Sequence, residues 1–188
     1  MTLPPRAQAV LDFWTAIGPE GWYAGGEALD ADIRAHFLPD WEGARRGACR
    51  DWAGSAQGCL AYLILTDQFP RNMFRGQAEA FATDALAREV AARAVQHGLD
   101  TQIEGDLRQF FYLPMMHSET LVDQHRCVAL FAARMPGDNL LHARAHREVI
   151  RRFARFPFRN AALGRVSTPA EEDFLAQGGY AAILRALG

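Results

Sequence analysis

The segment CLAYLILTDQF, Cys59 to Phe69, constrains this chain more than any other. Its dense apolar part, Cys59 to Leu65, falls well short of the ~20 residues a membrane-spanning helix needs. It is nonetheless apolar nearly all round, which suits a helix at the centre of a core, not one with a solvated face. The residue before a proline avoids the helical region, so Pro70 is expected to close this helix.

The rest of the sequence repeats the helical period. Val10, Phe13, Trp14 and Ile17 follow an i, i+3, i+4, i+7 pattern, and Leu29, Ile33, Phe37 and Trp41 recur every four residues. Phe81 to His97 is alanine-rich and amphipathic, with Gly98 placed to cap its end. Leu107 to Leu113 reads as a short helix stopped by Pro114. Ser118 is the expected cap of the next helix, whose buried stripe would be Leu121, Val128, Ala132 and Met135. Asn139 is the expected cap of a helix through Phe156 that buries Val149, Ile150 and Phe153. Thr168-Pro169-Ala170-Glu171 has the form of a capping box with proline at the first helical position. A last helix follows, broken by Gly178-Gly179. No alternating strand pattern occurs. The expected fold is therefore all-α: about eight helices in stacked antiparallel pairs or an irregular bundle. A length of 188 residues suits one domain over residues 1–188. The start, MTLPPRAQ, lacks the features of a secretory signal, which points to the cytoplasm.

Several chemistries are excluded or disfavoured by composition. All 20 basic residues are arginine, so no lysine Schiff base and no phosphate-loop lysine can form. Cys49, Cys59 and Cys127 are widely spaced and form no zinc-ligand pattern. No metal and no cofactor is expected. Net charge is −2, but residues 142–165 carry +6 against −8 elsewhere. One basic helix and turn on an acidic chain, with no nucleic-acid-reading motif, argues against nucleic-acid binding. A membrane partner is not expected either.

Three polar clusters remain as candidates for function. The first follows the apolar helix: Asp67, Gln68, Arg71, Asn72 and Arg75. A carboxylate there needs a partner, because burying it alone costs several kcal/mol, roughly. The second is His117, Ser118, Glu119, Asp123 and Gln124, in which Glu119 and Asp123 share a helical face beside a histidine. Such a group is raw material for acid–base chemistry, but carboxylates are also ordinary near helix N-termini. The third is Arg155, Arg159 and Asn160, at the end of an arginine-rich helix carrying Arg144, Arg147 and Arg151. That helix also holds His142 and His146, an HxxxH spacing without the acid of a zinc protease motif. For each cluster an internal salt-bridge network is the alternative to a site.

At these clusters the sequence resembles a known family. The strings LDFW, DQFPRNMFRG, FATDALA, FFYLPMMHSETLVDQ, RFPFRNAALGR and STP are similar to those of the bacterial domain of unknown function 924. The resemblance runs from about Ala9 to Phe174. It implies an all-α fold similar to tetratricopeptide-like helical repeats, and it implies no activity. The family often has glycine where Ala154 stands, histidine where Phe158 stands and glutamate where His125 stands.

Three readings follow. In the first, the clusters line a groove that holds an acidic small molecule or peptide through charge-assisted bonds from Arg71, Arg155 and Arg159. In the second, the protein is a hydrolase or transferase acting on an anionic metabolite, with His117 as acid or base, Glu119 or Asp123 as its partner, and Arg71 and Arg159 stabilising charge. In the third it is a scaffold whose motif residues serve internal bridges.

Overall fold

A computed structural model describes residues 2–188. Among the described residues there is no strand, and the fold is all-α as expected. The chain divides into two compact units, Met1–Pro114 and Met115–Gly188.

The first unit is built from α1 (Pro5–Trp22), α2 (Glu27–Arg45), α3 (Ala56–Leu63), α4 (Phe69–Met73) and α5 (Asp84–Gln96). α1 is kinked at Gly18, where φ is +73° and Pro19 follows without an N–H to continue the ladder. Its core is aromatic. Trp14 meets Phe69 and Phe110 edge-on at 5.6 and 5.8 Å, and Phe37 lies 4.8 Å from Phe69. The expected centre is correct: every residue from Gly58 to Pro70 is buried. Gly58 is required there, because a Cβ on it would sit 1.8 Å from the carbonyl oxygen of Trp52.

Pro70 does not close the helix, contrary to expectation. Between α3 and α4 the backbone widens into a π-turn, Ile64–Gln68, in which the Phe69 N–H bonds the Ile64 carbonyl five residues back. The reason lies in the proline. In a regular α-helix its ring would strike the carbonyl of Thr66, and it has no N–H to give that carbonyl. Widening the turn removes the clash. Thr83, fully buried, supplies the missing donor: its hydroxyl bonds the Thr66 carbonyl at 2.6 Å and accepts the Trp41 indole N–H at 3.0 Å. The helix thus continues through Pro70 to Met73. Pro114 likewise does not stop a helix; it lies inside the short α6 (Leu113–Met116), after a 3-10 segment at Gly105–Phe111.

The second unit holds α7 (Leu121–Arg134), α8 (Asp138–Phe153), α9 (Pro169–Ala176) and α10 (Gly179–Leu187). Ala145, Val149, Ile150, Phe156, Phe174 and Ile183 form its core cluster. Two expected details need correction. The cap of α7 is Thr120, whose hydroxyl accepts the Asp123 N–H; Ser118 instead accepts the N–H of Thr120. The buried stripe of α7 is Gln124, Cys127 and Phe131, while Leu121 is 41% exposed. Hydrophobic periodicity misplaces the stripe because its first member is polar. Gln124 is satisfied by the carbonyls of Met116 and Ser118, each at 2.7 Å. α8 also starts one residue before Asn139 and ends earlier than Phe156. Ala154 terminates it in the left-handed region, φ +57°, where a glycine would be unstrained. The capping box at Thr168 is as expected: its hydroxyl accepts the Glu171 N–H at 3.3 Å and Glu171 accepts the Thr168 N–H at 2.7 Å.

Candidate functional site

In the first unit the π-turn puts Asp67 and Gln68 into the core, 1% and 7% exposed. Arg71, one turn on, reaches back to both the carbonyl and the carboxylate of Asp67, the latter at 3.3 Å. It also forks onto Asp84 at the start of α5, with bonds of 3.0 and 3.1 Å. Burial works against its charge, but Asp67 and Asp84 together hold Arg71 more firmly protonated than usual. Gln68 donates to Asp67 at 2.5 Å. Asn72 and Arg75 both engage Asp30 of α2, at 2.9 and 3.0 Å. This segment therefore ties α2, α4 and α5 together. The sequence pointed to Arg71 as a ligand-binding group, and the structure gives it two carboxylate partners within its own unit.

The second and third segments meet in the second unit. Glu119 accepts the Phe156 N–H at 2.8 Å and a two-pronged bond from Arg165 at 2.8 and 3.0 Å. Burial opposes ionisation of Glu119, yet Arg165 and the Phe156 N–H hold its carboxyl below the usual range. Asp123 accepts hydrogen bonds from Ser118 at 2.6 Å and from Thr120 at 3.0 Å. Arg155 forks onto Glu171 at 2.5 and 2.6 Å, and this bridge with the capping box pushes the Glu171 carboxyl down to about 2. Asn160 donates to Ser167 at 3.0 Å. Arg165, Glu171, Asp30 and Asp84 had no place among the sequence candidates, since only the fold reveals which acid meets which arginine.

Arg159 is different in setting. It is 7% exposed and its guanidinium carbon lies 4.5 Å from the centre of the Phe156 ring. The His146 ring centre lies 5.6 Å from that of Phe156, edge-on. The rings of Tyr180 and His117 lie 4.7 and 6.3 Å from His146. The HxxxH pair does not share a ligand direction: His142 Nδ1 bonds the Tyr180 hydroxyl at 2.6 Å, and His146 Nδ1 bonds the carbonyl of His142 at 2.9 Å. Among the described residues no group of three metal-ligating side chains forms. Burial pushes His146 down to about 3. Against the raising effect of its bond to His142, nearby His117, Arg159 and His142 push the same way as burial.

The matched family is described as bacterial protein of unknown function, DUF924, and the match covers residues 10–179. The chain belongs to that family. A solved structure of a protein of unknown function from Agrobacterium tumefaciens is similar over 91% of this chain and 97% of that one, with 40% identity and a TM-score of 0.88. No curated protein matches. Among the described residues no helix is long and apolar enough to cross a membrane.

Proposed function

We propose that the protein binds a small anion at the cluster of Arg159, His117 and His146 in the second unit. The observation that carries this reading is the gathering of Arg159 and His146 around the Phe156 ring, with the His117 ring beside His146. A guanidinium beside imidazoles and partly screened from water interacts with a carboxylate or phosphate more strongly than an exposed arginine does. The first segment has a structural role in this reading: Arg71 and Arg75 hold α2, α4 and α5 through Asp30, Asp67 and Asp84.

Thermal unfolding with phosphate, citrate, malate and lactate tests the proposal. A ligand at about 100 times its dissociation constant stabilises by roughly 2.7 kcal/mol, which is readily seen. The expected result is a concentration-dependent rise in Tm for at least one anion, lost in Arg159→Gln and kept in Arg75→Gln. A protein that none of these anions stabilises, or an Arg159→Gln variant that binds as well as the parent, would overturn it.

A further inference from the structure

Helix α1 has two working faces. Val10 and Trp14 are fully buried on one of them. Gln8, Leu11, Asp12 and Thr15, spaced i, i+3, i+4 and i+7, form a second stripe along the helix. That stripe is one wall of a groove of about 520 Å³. Leu60 of α3, with Ile103 and Leu107, joins Leu11 and Ala16 in an apolar lining. Leu60 is buried and the other four are half-buried or exposed, so an apolar floor opens to water. Every lining residue belongs to the first unit. A concavity of this size, apolar with a few polar groups at its edge, has the form of a small-molecule site.

The polar groups at this groove are not consumed by the fold. At the Pro70 turn, by contrast, Arg71, Asn72 and Arg75 all meet carboxylates. Asp12 is exposed, accepts one hydrogen bond from the uncharged amide of Gln8 at 2.7 Å, and has no ion pair among the described residues. The side chains of Thr15 and Gln57, both exposed on the lining, have no hydrogen-bond partner among the described residues. Glu104 and Asp106, next in sequence to Ile103 and Leu107, are exposed acids. Arg108, the cation of that stretch, turns its Nε to the carbonyl of Ile103 at 2.8 Å. An acidic ligand would therefore meet like charge at Asp12. A wholly apolar one would take water from that carboxylate and give it no partner.

From this arrangement we infer that the groove binds a small amine with an alkyl or aryl body. The body lies on Leu60, Ile103 and Leu107, and the ammonium bonds Asp12. An ammonium has three hydrogens to donate, and Thr15 and Gln57 offer acceptors for the others. The inference concerns the first unit and stands apart from the anion reading.

Calorimetric titration of the unmodified full chain at pH 7.5 tests it, with butylamine, hexylamine, octylamine, hexanol and hexanoate as the probes. The dissociation constant of the amines should fall about two- to fourfold for each added methylene, as partial to full burial of a CH2 requires. Hexylamine should bind about fivefold more tightly than hexanol, and by a wider margin than hexanoate. In Asp12→Asn, hexylamine and hexanol should bind equally while the chain-length series keeps its slope. Ala16→Phe fills the groove from an exposed position and should abolish saturable binding, whereas Ala16→Ser, of similar size to the parent residue, should retain it. A flat chain-length series, an amine preference that survives in Asp12→Asn, or binding that survives in Ala16→Phe would overturn the inference. So would a parent chain that sediments as a dimer and becomes a monomer in Ala16→Phe, since a second copy would then cover the groove.

Discussion

The two proline turns, FPRN at Phe69–Asn72 and FPFRN at Phe156–Asn160, share a spelling and solve opposite problems. At the first, the helix passes through its proline. It does so by widening into a π-turn and borrowing a hydroxyl from Thr83. At the second, the helix has already ended at Ala154, and Pro157 opens a 3-10 turn. The charges differ as well. Arg71 is held between two carboxylates of its own unit, whereas Arg159 stacks on a ring beside three histidines. One turn ties helices together through carboxylates; the other sets a guanidinium against an aromatic ring. The lesson is that a short motif fixes which groups are present, and the elements around it decide what each group meets.

The sharpest way to break this contrast is Arg71→Ala. It takes from Asp67, which is 1% exposed, a guanidinium 3.3 Å away, and should destabilise by about 3–5 kcal/mol in chemical denaturation. An unchanged midpoint would mean that the first turn is not held by charge at all. Thr83→Val comes next. It keeps the volume but strands both the Thr66 carbonyl and the Trp41 indole N–H, for an expected loss of about 3 kcal/mol. A loss under about 0.5 kcal/mol would show that the π-turn satisfies its own carbonyl.

Acid should separate the units further. Burial holds the folded-state pKa of His146 down to about 3, below the usual 6.5, so the unfolded chain binds the extra proton first. Its contribution to stability is complete above 6.5 and is lost as pH falls toward 3. Glu171, lowered from 4.5 to about 2, adds a loss of the same sign between those values. Stability of the parent should therefore fall on acidification from pH 6.5, and His146→Phe should flatten the upper part of that fall. A parallel profile in the variant would place the titration elsewhere. The smallest expected effect is Ala154→Gly. It relieves a left-handed alanine and should stabilise by about 0.5–1 kcal/mol, read as a rise in Tm.

Much of the fold was legible because helix signals are local. The central apolar segment and the Thr168 capping box need only neighbouring residues to be recognised, and both stand where expected. The π-turn was not legible, because it depends on Thr83, seventeen positions away. The stripe on α7 was misread because Gln124 is polar, and its burial makes sense only once the carbonyls of Met116 and Ser118 curl over it. Asp67, Glu119 and Arg155 were rightly expected to need partners, but the identity of each partner is a tertiary fact. His146 was visible only as half of an HxxxH spacing. Its interest lies in a bond to a backbone carbonyl, which no residue pattern encodes.

The hydroxyl of Thr83 has a consequence for how this chain can change over generations. Pro70 creates the vacancy that Thr83 fills, so the two positions share a fate. A lineage that loses the threonine first passes through a protein with an unmet carbonyl in its core. A lineage that loses the proline first regains a backbone N–H at residue 70, and the threonine is then held only by the Trp41 indole. The order that loses the proline first leaves fewer buried groups unmet at the intermediate step.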